Sequence, residues 1–87
     1  LGPQRTLEIL PNPATDIISI KLPELGKDGA NIILFDATGK VVANIPVSSK
    51  PATEPSITVE MASFPSGLYF VTLHSSGRTY SGKFVKI

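Results

Sequence analysis

The chain has 87 residues, enough for one domain with a modest core, since a chain of this length buries only about 60–65% of its unfolded surface. Its hydrophobic fraction of 41% fits a folded globule, and its formal charge of +1 gives no electrostatic reason to expect nucleic acid or an anionic membrane. With no cysteine, neither a disulfide nor a thiolate metal site can staple it, so packing must hold it together.

Residues 1–5, Leu-Gly-Pro-Gln-Arg, read as a linker or a cloning scar. Residues 6–10 alternate and predict a short strand. Pro11-Asn12-Pro13-Ala14-Thr15-Asp16 is a turn, because each proline fixes φ and removes a donor, which halts pairing. Residues 16–22 form a strand with Ile18, Ile20 and Leu22 inward and Ser19 and Lys21 outward. Residues 23–29 carry a proline, two glycines and three charges and read as a loop.

Residues 30–36 are the third predicted strand, with Ile32 and Leu34 toward the core. Ile32-Ile33-Leu34-Phe35 is the longest apolar run, far too short to cross a membrane, so no integral membrane protein is expected. Asp36-Ala37-Thr38-Gly39 is a tight hairpin turn, Gly39 supplying a positive φ at its last position. Residues 40–47 return, and Pro46 places the far end of that strand on a sheet edge. Residues 48–55 form a long surface loop, and residues 56–61 a fifth strand with Ile57 and Val59 inward.

A short link, Ala62-Ser63-Phe64, has room for one helical turn. Then Pro65-Ser66-Gly67 launches the most β-prone run of the chain. Tyr69, Val71 and Leu73 share one face and Leu68, Phe70 and Thr72 the other, so this strand is expected at the centre of a sheet. Gly67 lacks a Cβ, which points either to a positive φ or to close approach of another strand. Ser75-Ser76-Gly77 is a turn, and the last strand runs from residue 78 to the end with Tyr80 and Phe84 on one face. Seven short strands with turn signals every 8–12 residues predict an all-β chain: an antiparallel, immunoglobulin-like β-sandwich, with a partly open barrel as rival. The expected core is Tyr69 and Val71, ringed by Ile18, Ile20, Ile32, Leu34, Ile57 and Val59.

Catalytic chemistry finds no footing. His74 is the sole histidine, and nothing is spaced like a triad around it, so it reads as a solvent-facing strand residue. The Asp36 turn superficially resembles the Asp-Thr-Gly of aspartic proteases, which need two carboxylates sharing a proton; the chain has no second copy. The seven acidic residues lack the spacing of a calcium loop, and no phosphate-binding glycine loop is present. No enzyme, cofactor or metal is therefore expected. On physics alone, Lys83 and Lys86 serve equally well as a binding feature or as solvated edge lysines that block edge-to-edge pairing.

Four segments in order resemble the C-terminal sorting domain of cargo proteins of the type IX secretion system of Bacteroidetes. They are Pro11-Asn12-Pro13-Ala14 with the strand after it, Leu34 to Val42 around an Asp-x-x-Gly hairpin, Phe64 to Val71 with Pro-x-Gly-x-Tyr, and the lysine-bearing Lys83-Phe84-Val85-Lys86-Ile87. The resemblance spans about residues 9–87, and one departure is the single Ile87 after the last lysine. It implies a non-catalytic signal domain, residues 6–87, that directs an upstream cargo domain of the same chain through the periplasm and across the outer membrane to the cell surface or medium. It implies as partners the outer-membrane translocon and a sortase that removes the domain, cutting in the N-terminal linker. It places translocon recognition at Gly67, Tyr69, Val71, Lys83, Val85 and Lys86, and makes Pro11, Asn12, Pro13, Asp36 and Gly39 the motif turns. No signal peptide is read at the N-terminus, so the one such cargo needs would lie upstream. The competing expectation is an immunoglobulin-like accessory or adhesion module that binds carbohydrate or protein. Against it, the chain has no Trp, and most of its two Tyr and four Phe are expected in the core.

Overall fold

The computed structural model describes residues 6–23, 29–48 and 56–87. The linker assigned to residues 1–5 and most of the loops assigned to residues 23–29 and 48–55 lie outside the described residues.

Seven strands form: β1 (Ile9–Leu10), β2 (Ile17–Lys21), β3 (Ala30–Asp36), β4 (Val41–Val47), β5 (Ser56–Glu60), β6 (Gly67–Ser75) and β7 (Arg78–Lys86). They build two antiparallel sheets, ordered β1-β2-β5 and β4-β3-β6-β7. The sheets face each other across one core. Ile9, Ile18, Ile20 and Val59 come from the first, and Ile32, Leu34, Tyr69, Val71, Leu73 and Phe84 from the second. Ile57 is half-buried and packs against this core, which also takes in Leu7, Ala14 and Met61. The period-two pattern explains the split: in β6 the odd positions 69, 71 and 73 are buried, while Leu68 and Phe70 point the other way.

The strand expected at residues 6–10 is shorter than its alternation suggests. Thr6 makes an isolated parallel bridge to Ser81 of β7, and only Ile9–Leu10 pairs with β2. Residues 62–64 form a β-turn rather than a turn of helix, closed by the Phe64 N–H donating to the Met61 carbonyl at 3.0 Å. β6 lies inside its sheet, between β3 and β7, and β4 is an edge strand, as Pro46 indicated.

Two tight turns follow from their residues. At the β3–β4 hairpin, Asp36 Oδ1 accepts bonds from the Thr38 N–H (2.9 Å), the Thr38 hydroxyl (2.6 Å) and the Lys40 N–H (3.1 Å). Gly39 closes the loop at φ 90°, a conformation glycine adopts without a Cβ penalty. At the β6–β7 hairpin both central residues, Ser76 and Gly77, have positive φ, the geometry that matches the twist of the flanking strands.

Candidate functional site

The two ends of the described chain meet. The N-terminal segment runs alongside the outer edge of β7, where the Leu7 N–H donates to the Ser81 carbonyl at 2.8 Å. The chain then leaves to pair β1 with β2 and returns through Pro11-Asn12-Pro13. There Asn12 Oδ1 accepts from the Val85 N–H at 3.1 Å, Ala14 N–H donates to the Val85 carbonyl at 2.7 Å, and Ile87 N–H donates to the Ala14 carbonyl at 2.9 Å. The peptide bonds before Pro11 and Pro13 are both cis. An edge strand with free N–H and C=O groups is thus partly covered by the chain's own N-terminal segment.

The crossing needs Gly82. A Cβ there would lie 2.9 Å from Ile9 Cδ1 and 3.1 Å from the Leu7 carbonyl oxygen. The sequence reading missed this residue; a glycine in a strand interior was the available signal.

The Phe64–Tyr69 segment closes on itself. The Tyr69 hydroxyl donates to the Pro65 carbonyl at 2.5 Å, across the turn of which Gly67 is the last residue. The Tyr69 ring stacks on Phe84 with centroids 5.5 Å apart and meets Phe64 edge-on at 6.0 Å. Gly67 has φ 150°, which L side chains rarely adopt, and open space beside its Cα. Of the two reasons expected for this glycine, backbone conformation holds and close packing of another strand does not.

The residues assigned to recognition divide between two environments. Tyr69 and Val71 lie in the core, 3% and 0% exposed. Lys83 and Val85 are exposed on the outer face of β7, Lys86 is half-buried at its end, and Gly67 opens β6 opposite Lys86. Register places Lys83 directly beside Phe70, and Val85 beside Leu68. Phe70 in turn neighbours Phe35 of β3, and Phe35 neighbours Val41 of β4. Sequence reasoning did not single out Leu68, Phe70, Phe35 and Val41 as one surface. Alternation put Leu68 and Phe70 on the second face of β6 but could not say whether anything covered it.

Asp36, the turn carboxylate, is held below its ordinary value of 3.8, chiefly by the Thr38 hydroxyl and further by the Lys40 and Thr38 N–H groups and the Lys40 charge. All these partners belong to the hairpin itself, so the carboxylate organises the turn. His74 is exposed and its Nδ1 lies 3.1 Å from the Thr79 hydroxyl across the β6–β7 ladder. Among the described residues no group of three or more His, Cys, Asp or Glu could hold a metal ion, and no helix is long and apolar enough to cross a membrane.

A family model described as the secretion system C-terminal sorting domain matches residues 8–87, from the β7-flanking segment through the last residue. The chain belongs to that family. All four motif segments of the sorting domain fall within the match, and it acts as a C-terminal sorting signal of the type IX secretion system. Among curated proteins, Karilysin of Tannerella forsythia is 31% identical over 81 residues, which cover 87% of this chain. The matched stretch spans 17% of that relative's length. Among solved structures, a DUF3244 family protein from Bacteroides vulgatus with an immunoglobulin-like β-sandwich superposes with a TM-score of 0.72 at 20% identity, covering 95% of this chain and 86% of that one. PorZ, a surface component of the type IX secretion system of Porphyromonas gingivalis, superposes with a TM-score of 0.63 at 19% identity, over 93% of this chain and 11% of that one. Both are likenesses of fold, and the sandwich prevails over the barrel expected as its rival.

Proposed function

We propose that the domain is read by the outer-membrane translocon as a folded shape, carries an upstream cargo domain of its own chain across the outer membrane, and is then removed by a sortase. The observation that carries this reading is the joining of the Pro-Asn-Pro-Ala turn to the lysine-bearing strand through Asn12 and Ala14. Two motifs at opposite ends of the chain make one surface, so a linear tag excised from either end would lack half of it. In this reading Lys83, Val85 and Lys86 meet the translocon, while Tyr69 and Val71 hold β6 and β7 in place from inside. Gly67 supplies the turn. The domain itself catalyses nothing; its role is binding. The cut falls in the linker before Thr6, which leaves the sandwich intact.

The test fuses residues 1–87 behind a periplasmic reporter in a strain with an active type IX system. Reporter in the medium or on the cell surface is the expected result. Reporter retained in the periplasm, with the domain folded, overturns the proposal.

A further inference from the structure

The sandwich has two outer faces, and they differ. On the three-stranded side the outward positions mix charge with apolar groups: Glu60 stands opposite Ile17, and Lys21 opposite Ser56. On the four-stranded side a continuous apolar band crosses all four strands. Val41, Phe70, Leu68 and Val85 are 52%, 38%, 37% and 43% exposed, and half-buried Phe35 bridges Val41 and Phe70. The outward positions of β3, β4, β6 and β7 carry a single formal charge, Lys83, and no carboxylate. Contiguous exposed apolar surface on a small protein commonly marks an interaction site.

Building on the sorting reading above, we propose that this outer face is the docking face of the domain, and that its partner is an apolar protein surface of the export machinery bearing a carboxylate opposite Lys83. Charge decides between occupants. A second copy applied through the same face would bring only cations and no acid to Lys83, so the face is not self-complementary. A partner carboxylate beside Phe70 would meet Lys83 where the aromatic ring excludes water, and the pair is stronger there than in bulk solvent. The band also extends the recognition surface inward from the C-terminal strand. Lys83 and Val85 form its rim, and Phe70, Leu68, Phe35 and Val41 its centre.

The test uses the reporter fusion in the export-competent strain with three variants. Phe70→Gln with Val85→Gln removes the apolar centre and rim, Lys83→Glu reverses the charge, and Leu10→Gln with Ile17→Gln changes the opposite face. The expected result is at least about a tenfold loss of export for the first two, with melting temperatures of the purified fusions unchanged, and normal export for the third. Normal export of both the Phe70/Val85 and Lys83→Glu variants overturns the docking proposal while leaving the sorting reading intact. Equal loss from both faces overturns it as well. A wild-type fusion that stays in the periplasm overturns the sorting reading and this one together. A wild-type dimer in sedimentation that the Phe70/Val85 variant dissociates assigns the face to a second copy, and binding of the wild type to phosphatidylcholine vesicles assigns it to lipid; either overturns the proposal. Should the double variant fail to fold, Lys83→Glu, a single exposed change, decides.

Discussion

The side-chain oxygen of Asn12 accepts a hydrogen bond from the backbone N–H of Val85, 73 positions later in the chain, at 3.1 Å. It faces the outer edge of β7, where no further strand among the described residues supplies an acceptor. Ala14, two residues on, bonds to both Val85 and Ile87 through its backbone. Asn12→Ala should therefore destabilise the domain by about 0.5–1.5 kcal/mol, the usual net worth of such a bond. The loss should be local: amide exchange at Val85 should quicken more than at Val71 in β6. Equal quickening at both would mean that Asn12 acts on global stability alone.

Tyr69 combines a buried ring with one polar contact, its hydroxyl to the Pro65 carbonyl. Tyr69→Phe keeps the stack on Phe84 and removes only that bond. The expected cost is about 1 kcal/mol in denaturant unfolding, with the slope unchanged. A cost near zero would show that the hydroxyl does not hold the turn.

Two glycines should respond differently to added side chains. At Gly67 the cost is backbone strain, about 1–3 kcal/mol, and since a Cβ meets nothing within 4 Å, Gly67→Ala and Gly67→Val should cost nearly the same. At Gly82 the neighbours are Leu7 and Ile9, so Gly82→Val should cost clearly more than Gly82→Ala as the N-terminal segment is pushed off β7. Thermal melts of the four variants check this, and the reverse ordering would contradict the geometry.

The Asp36 hairpin carries a pH signature. Because the folded-state pKa lies below the ordinary 3.8, its contribution is fully present above that value and is lost as pH falls through the lower, folded value. Asp36→Asn should therefore narrow the stability gap between neutral and strongly acid solution: the variant should be less stable than wild type above about pH 4, and the two should converge as the pH falls further. A titration of the Asp36 carboxyl by NMR with a midpoint above 3.8 would contradict the assignment.

Lys83→Ala with Lys86→Ala separates signal from scaffold. Such surface charges contribute about 0–1 kcal/mol each, so the melting temperature should hardly move. Secretion of the fused reporter should be abolished if the lysines are read by the translocon. Normal secretion at normal stability would leave the apolar band or the overall shape as what is recognised.

Much of this domain is written in local pattern. The bounds of β3, the inward Ile32 and Leu34, the Asp36–Gly39 hairpin and the edge position of β4 all follow from alternation, from proline's missing donor and from glycine's freedom in φ. These signals act within a few residues, so one sequence is enough to read them. The same alternation marked Leu68 and Phe70 as a second apolar face of β6 without revealing whether that face was covered. A side chain's direction is a local property, but its burial depends on what packs against it.

The sequence by itself determined seven strands, the Asp36–Gly39 and Ser75–Gly77 turns and the inward faces, because each rests on backbone sterics and side-chain period. Tertiary structure alone decided that β1-β2-β5 and β4-β3-β6-β7 are the two sheets, and that Asn12 reaches Val85. It alone decided that Gly82 makes room for Leu7 and Ile9, and that the apolar band from Val41 to Val85 remains open. These are contacts between segments remote in sequence. Their geometry is set when two sheets bury a common core, and no short stretch of residues carries it.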